Sequence, residues 1–496
     1  MPKSHCFVYL LLISLPAIFF ACNNDFENYS VNPQHTLTFS TDTLAFDTVL
    51  TTVNSPLRYF KVYNRNSKPL LISSVTLAAG TDSNYKINVD GFAGLTFENI
   101  EIGANDSIYV LVDIKPVETG QFTPALLNDY VVFTTNNVRQ EVVLSAYGQD
   151  VFTWKGITLT SDSLLDNQKP YLIYDSLVVE TGARLTINEG AVFYMHNNAQ
   201  LIVRGTVIVK GSLEHPVVFR GSRTDDIVNI PYDRIPGQWG GICFAPDSYE
   251  NVFENVHIRN GKFGMDFALS EPTRNKIIMK NVVLTNVSGT LLNAVNCDIV
   301  AENCEFSNAR YALLNLTGGS YRFTHCTLAN FYPVAPDAGW LNSDNETLIL
   351  ADTYYPESGE EEKYFPILSA TFSNTIIWGA KLTSGIKIEQ DPASEIHYIF
   401  SNCLLPNEGS NDDHFIACIF RKDPLFTDNA FLDEAKDKNE RNVYATFDFS
   451  LQEKSPARDI ADPDIARTVP YDIKGFYRFT DGQPDLGAYE YKTENK

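Results

Sequence analysis

Along the middle of the chain, apolar and polar residues alternate in short runs, and one phrase introduces each run: Asn, a compact residue, then the alternation. It reads Asn255-Val256-His257-Ile258, Asn281-Val282-Val283-Leu284, Asn303-Cys304-Glu305-Phe306, His325-Cys326-Thr327-Leu328, Asn374-Thr375-Ile376-Ile377 and Asn402-Cys403-Leu404-Leu405. The intervals are 26, 22, 22, 49 and 28 residues. Strand-like alternation at such a period predicts a solenoid whose windings each contribute short parallel strands, a parallel β-helix. Parallel strands stack ~4.8 Å apart, so equivalent positions of successive windings lie over one another. Asn side chains at a turn can then bond up and down the stack, and Asn tolerates the left-handed backbone such a turn needs. Val256, Val282, Cys304, Cys326, Thr375 and Cys403 are expected to form an inward column. His325 breaks the Asn column once and is read as a satisfied or loop-facing ring, not a ligand.

The pattern begins well before Asn255. Leu177-Val178-Val179, Leu185-Thr186-Ile187, Ala191-Val192-Phe193-Tyr194, Leu201-Ile202-Val203 and Val207-Ile208-Val209 are short strand phrases, with Gly182, Gly190, Gly205 and Gly211 at corners. Pro216 to Phe219 then leads through a polar excursion to Gln238-Trp239-Gly240-Gly241-Ile242. These phrases resemble those of right-handed parallel β-helix repeat proteins with a pectate-lyase-like fold, and the crossover rule implies the right-handed sense. Upstream, from Leu37 to about Gly148, the strands are longer and lack this period: Arg58 to Asn64, Leu70 to Leu77, Ser107 to Ile114, Tyr130 to Thr134 and Gln140 to Tyr147. Seven or eight such strands predict a β-sandwich. Phe60-Lys61-Val62-Tyr63-Asn64, Pro69-Leu70-Leu71-Ile72 and Leu144-Ser145-Ala146-Tyr147-Gly148 resemble immunoglobulin-like (Ig-like) domains of the ASH and choice-of-anchor D type. That resemblance implies spacing or protein contact, not chemistry.

Composition agrees with an all-β chain. The 32 Phe and 25 Tyr against 4 Met and 4 Trp suit sheets, and no stretch sustains a 3.6-residue period. The net charge of −23 argues against nucleic acid and disfavours polyanionic polysaccharide. Excess carboxylate also serves simply to keep an exported protein soluble. No CxxC pair or Cys/His cluster has zinc spacing, so no metal or other cofactor is expected. Cys304 and Cys326, one winding apart, are read as stacked reduced thiols, with a bridge as the alternative.

The first residues give an address. Lys3 precedes an apolar run from Phe7 to Phe20 that Pro16 interrupts, too short to span a bilayer and suited to a signal-peptide core. Phe19-Phe20-Ala21-Cys22 resembles a bacterial lipobox, although Phe19 and Phe20 depart from the usual Leu and small residue. The resemblance implies lipidation of Cys22 and a stable membrane anchor, since each buried methylene adds ~0.8 kcal/mol. Ordinary signal cleavage, leaving Cys22 a thiol, is the alternative. Asp25 and Glu27 are similar to the surface-export signals of Bacteroidota lipoproteins, which implies the outer membrane on either its periplasmic or its extracellular face.

Beyond Phe420, Asp423-Pro424-Leu425-Phe426, Leu451, Ser455-Pro456-Ala457-Arg458-Asp459 and Asp485-Leu486-Gly487-Ala488-Tyr489-Glu490 resemble the C-terminal part of choice-of-anchor Q proteins, a family of cell-surface β-helices. A solenoid needs its open end covered, and this segment is expected to be that cap. The predicted organisation is a signal peptide over 1–21, a polar linker over 22–36, a sandwich over 37–150, a β-helix over 151–420 and a cap over 421–496.

Parallel β-helices include polysaccharide lyases and hydrolases with carboxylates, or a basic residue and calcium, along one face. Asp225-Asp226 and Asp412-Asp413-His414 are the tight acidic pairs here, and both read as solvated turns, so no catalytic residue is assigned. The 49-residue interval before Asn374 is rich in aromatics and acids. Exposed rings stack on sugar faces, which makes Trp340, Tyr354 and Tyr355, with Trp239, candidates for glycan contact; packing against the solenoid wall is the alternative. The expected function is a lipid-anchored envelope protein with a non-catalytic structural or binding surface, toward glycans or other envelope proteins. A carbohydrate-active enzyme on the same scaffold is the alternative.

Overall fold

The computed structural model describes residues 28–227, 230–231, 235–332, 346–356, 361–379, 385–392, 394–428 and 447–492. The signal peptide and Cys22 lie outside the described residues. The chain divides into two compact units between Gln149 and Asp150.

The first unit is an Ig-like sandwich of two five-stranded sheets. One orders Thr38–Phe39, Arg58–Tyr63, Ser107–Ile114, Tyr85–Val89 and Phe92–Gly94, all antiparallel. The other orders Thr43–Leu50, Val138–Gln149, Ala125–Thr135, Leu70–Leu77 and Thr96–Ile102, with its first pair parallel. Alternation decides the faces: Ile108, Val110, Val112 and Ile114 are buried, whereas Tyr109 between them is exposed. Buried Asn64 closes a loop by donating to the carbonyls of Lys68 at 2.8 Å and Gly103 at 2.9 Å.

The second unit is a parallel β-helix built on one 26-stranded sheet that winds into a tube of three faces. The first face stacks Tyr171–Ile173, Val192–Met195, Val217–Gly221 and, after each Asn phrase, strands such as Glu305–Ala309 and Thr327–Asn330. The second stacks Gln200–Val203, Gly241–Phe244, Met265–Phe267, Leu292–Val295, Leu314–Thr317, Leu348–Ala351 and Ile386–Glu389. The third runs from Arg184–Asn188 through Thr206–Lys210 to Ile367–Ser373 and Ile396–Ser401. Because registers are in step, like lies over like inside the tube. Phe193 stacks on Phe219 at 4.6 Å, Phe244 on Phe267 at 4.4 Å, and Phe323, Phe372, Phe400 and Phe415 form one continuous pile.

The predicted ladder stands at the corner between third and first faces. Asn255, Asn281, Asn303, His325, Asn374 and Asn402 all have φ between 49° and 58°, the left-handed region. Asn281 donates to Asn255 at 3.0 Å, Asn303 to Asn281 at 2.7 Å, and Asn374 to His325 at 2.9 Å. The following column is inward and buried, and its cysteines are free thiols. Each bonds the carbonyl two residues back: Cys304 to Glu302 at 3.2 Å, Cys326 to Thr324 at 3.5 Å, Cys403 to Ser401 at 3.3 Å. Thr375 makes the same bond to Ser373 with its hydroxyl, so from Cys304 onward the column, which starts with Val256 and Val282, is made of small hydrogen-bond donors.

The described part of the C-terminal segment lies along the flank of the first face. Its Phe426, Phe449, Leu451, Ala457, Ile473, Leu486, Ala488 and Tyr489 pack against outward residues Ala329, Ile376, Trp378 and Leu404 of successive windings. Those outward positions are apolar from Ile376 onward, so a face that would otherwise meet water needs a cover. The ladder holds the cover in place: Asn303 donates to the Tyr471 carbonyl, Asn374 exchanges bonds with the Asp462 backbone, and the Asn374 carbonyl accepts from Gly487 N–H at 2.8 Å. Fully buried Arg478 bridges Glu490 and Asn303, both at 2.6 Å, and the Tyr489 hydroxyl donates to buried Glu305.

His325 is enclosed between the Gly487 carbonyl, 3.3 Å from Nδ1, and the Asn374 amide, which donates to Nε2. Nδ1 therefore carries the proton and the ring is neutral. Burial, reinforced by the Arg478 charge, holds its pKa well below 6.5. Below about pH 6.5 the unfolded chain gains a proton here that the folded chain refuses, so this contribution to stability is complete above that pH and is lost as pH falls. His325→Asn should flatten the fall of the urea midpoint between about pH 7.5 and 5; an unchanged fall would refute the assignment. Arg478→Ala strands Glu490 without its partner and should cost about 3–5 kcal/mol of stability in urea unfolding.

Candidate functional site

The sequence-predicted aromatic residues do not converge. Trp239 is fully buried in the tube's core, and its indole N–H donates to the Arg259 carbonyl at 2.8 Å. A ring with no exposed face cannot stack on a sugar; the Gly-rich phrase after it carries the chain from an excursion back into the wall, and Trp239 fills the interior there. Trp340 lies outside the described residues. Tyr354 is half-buried, its ring tilted against Phe365, in the pairing of Thr353–Tyr354 with Lys363–Tyr364. Tyr355 follows it and is 66% exposed, with Tyr364 on the partner strand 50% exposed.

The acidic pairs have structural work. Both Asp225 oxygens take a fork from Arg223, at 2.9 and 2.6 Å. One oxygen of Asp412 accepts the backbone N–H groups of His414 and Phe415 and closes the turn. Among the described residues no group of three or more His, Cys, Asp or Glu is placed to hold a metal ion.

On the uncovered faces the outward columns are ladders. The third face carries Lys210, Glu254, Lys280 and Glu302 in register, alternating in sign, then Thr324, Ser373 and Ser401. Lys280 and Glu302 are 3.4 Å apart, and Ser373 and Ser401 hydroxyls 3.0 Å. The second face carries Asp266, Asn293 and Asn315, bonded amide to oxygen at 2.8 and 2.9 Å. Such columns satisfy themselves and leave little chemistry unspent.

Among the described residues the register of the third face slips at two places: at Asn275–Ile277, where Lys276 is the extra residue, and at Ile367–Ala370. The strand Ile367–Ser373 carries an extra residue relative to both neighbours: Gly319 and Ser320 align with Ile367 and Ser369, and Ile367 and Ala370 with Ile396 and Tyr398. This is a β-bulge, and it pushes Leu368 outward to 51% exposure. In the inward column fully buried Ala370 lies between Tyr321 and Tyr398, so its side chain belongs to the tube's core. Beside the bulge lies a cleft of about 210 Å³ lined by Ser369, Ala370, Thr371, His397, Tyr398, Ile399, Asp413 and His414. His414 lies flat on Tyr398, 4.2 Å between ring centres and 15° between planes, and its Nδ1 bonds the Tyr398 carbonyl at 2.9 Å. His397 contacts Glu395 at 3.3 Å on the outer rim. Partial burial raises the Tyr398 pKa, so its phenol stays protonated at neutral pH. Sequence inspection reaches Asp413 and His414 as part of an acidic turn; Ala370 and the bulge carry no local signal.

No protein-family model matches the chain. Among curated proteins, the protein bark beetle of Drosophila melanogaster is 32% identical over 85 residues, 16% of this chain and 3% of that protein, so the chain spans only a small fraction of the relative it matches. Among solved structures, a family 123 glycoside hydrolase from Clostridium perfringens matches with TM-score 0.16 and 13% identity, covering 23% of this chain and 26% of that one. The ASH/PapD-like domain 7 of human CEP192 matches with TM-score 0.17 and 8% identity over 26% of this chain and 95% of that domain. The Salmonella enterica SafA pilin in complex with the SafB chaperone gives TM-score 0.16 and 10% identity, over 25% and 55%.

Proposed function

We propose that this chain is a bacterial envelope lipoprotein of Bacteroidota type, held at the outer membrane through Cys22. Its sandwich acts as a spacer, and its β-helix, of choice-of-anchor Q type in its C-terminal part, is a non-catalytic binding surface for glycans. The observation that supports a non-catalytic surface is where the perturbed carboxylates lie. Enzymes concentrate shifted acids and bases in clefts that substrate reaches. Here burial raises Glu305, Asp472, Asp485 and Glu490, and all four lie in the dry seam between the C-terminal segment and the tube. Asp298 is the remaining raised carboxylate among the described residues. The seam is closed by protein and offers a substrate no entry.

Anchoring rests on the lipobox resemblance at Cys22. No helix of the described residues is long and apolar enough to cross a membrane. Cys22→Ser should abolish incorporation of labelled palmitate and move the protein out of the membrane fraction; retention in that fraction would overturn the anchor. For the surface, the purified protein is passed over a panel of immobilised polysaccharides while eluates are assayed for reducing ends and unsaturated products. Retention without product is expected. Release of product would move the assignment to a carbohydrate-active enzyme, and absence of retention on every polysaccharide would remove glycans as the ligand.

A further inference from the structure

We propose that the bulge cleft between Ile399 and His414 seats one uncharged pyranose ring of a glycan and rejects acidic sugars; this rests on the glycan-binding reading above and narrows it. Size is the first argument. The cleft's 210 Å³ falls below the ~300–1,000 Å³ of sites that enclose drug-sized ligands, which suits a single ring of a longer chain that continues along the open face.

The lining is the second argument. A pyranose presents an apolar C–H face and a rim of hydroxyls that both donate and accept. The cleft offers both complements: Ile399, 40% exposed, and half-buried Tyr398 supply apolar surface, and Ser369, Thr371, Asp413 and the two imidazoles supply donors and acceptors around it. Hydroxyl partners exchange with water at little net gain, so the apolar contact carries affinity and the polar groups carry orientation.

Charge is the third. No Lys or Arg lines the cleft. Its carboxylate is Asp413, with Asp412 adjacent in the chain and Glu395 on the rim beside His397. A uronate, sulfate or phosphate entering here would face like charge with no fixed cation to offset its lost hydration, which disfavours anions.

The irregularity is the fourth. The cleft arises beside the slip at Ile367–Ala370, where both Leu368 and Ser369 turn to the surface. Bulges recur beside binding sites because they re-aim side chains without ending the sheet. The flat His414–Tyr398 pair then closes the cleft's far wall, with the ring orientation fixed by the imidazole bond to the Tyr398 carbonyl.

The test titrates the intact protein with neutral oligosaccharides of glucose, mannose, galactose and xylose and with glucuronate- and galacturonate-containing counterparts, read by calorimetry and saturation-transfer NMR. Wild type should bind at least one neutral oligosaccharide and prefer it at least tenfold over its acidic counterpart. His414→Ala, at an exposed ring, and Ile399→Asp, which removes the cleft's exposed apolar side chain, should each weaken binding tenfold or more, with thermal melting used to confirm that both variants are folded. Asp413→Lys should erase the discrimination against uronates. If a neutral glycan binds but His414→Ala and Asp413→Lys bind it as wild type does, the glycan reading stands and this cleft assignment falls. If the acidic sugars bind more tightly, the assignment also falls. If no sugar binds, the broader reading fails and takes this one with it.

Discussion

In-step registry between parallel strands is the constraint on which the second unit depends. Strands ~4.8 Å apart with no stagger place every side chain directly over its counterpart one winding earlier. An inward residue must therefore match its neighbours in bulk, and it does: rings pile on rings from Phe323 to Phe415, and small donors follow one another from Cys304 to Cys403. Each winding has to turn three corners without leaving backbone groups unpaired inside. The Asn positions meet both demands, since the residue tolerates a positive φ and its amide donates to the preceding winding.

The same corner recruits the C-terminal segment. An Asn amide has two N–H groups, and the ladder consumes one. Asn303 gives the other to the Tyr471 carbonyl, and Asn374 gives it to Asp462. Where His325 interrupts the column, the oxygen of Asn303 loses its ladder donor, and Arg478 supplies the missing proton from the flanking segment. The histidine break and the buried arginine are thus one arrangement. Its charge is compensated locally by Glu490 at 2.6 Å, and leaving either without the other would cost more than the pair contributes.

A tube whose columns satisfy themselves has little capacity for recognition, because ladders such as Asp266–Asn293–Asn315 direct their donors to each other. Recognition then falls to the defects. The bulge at Leu368 shifts one strand against both neighbours and turns Leu368 and Ser369 to the surface beside a cleft lined by Thr371, Ile399, Asp413 and His414. The chain's net charge of −23 acts in the same direction as the local carboxylates, and both weigh against anionic ligands.

The sequence by itself determined whatever recurs at short range. The Asn period, the alternation after it, the compact column and the longer strands of Arg58–Tyr63 or Ser107–Ile114 are local patterns, and each was legible because burial of one face is written into neighbouring residues. Tertiary structure alone decided the rest. Trp239 follows an excursion with no period, so nothing local says that its ring turns inward. The C-terminal segment matches apolar positions from several earlier windings at once, and only the folded tube shows that Ile376, Trp378 and Leu404 make a common face for it to cover. The cleft needs an extra residue in one strand set against its absence in two others, a relation between registers that exists only once those strands are paired.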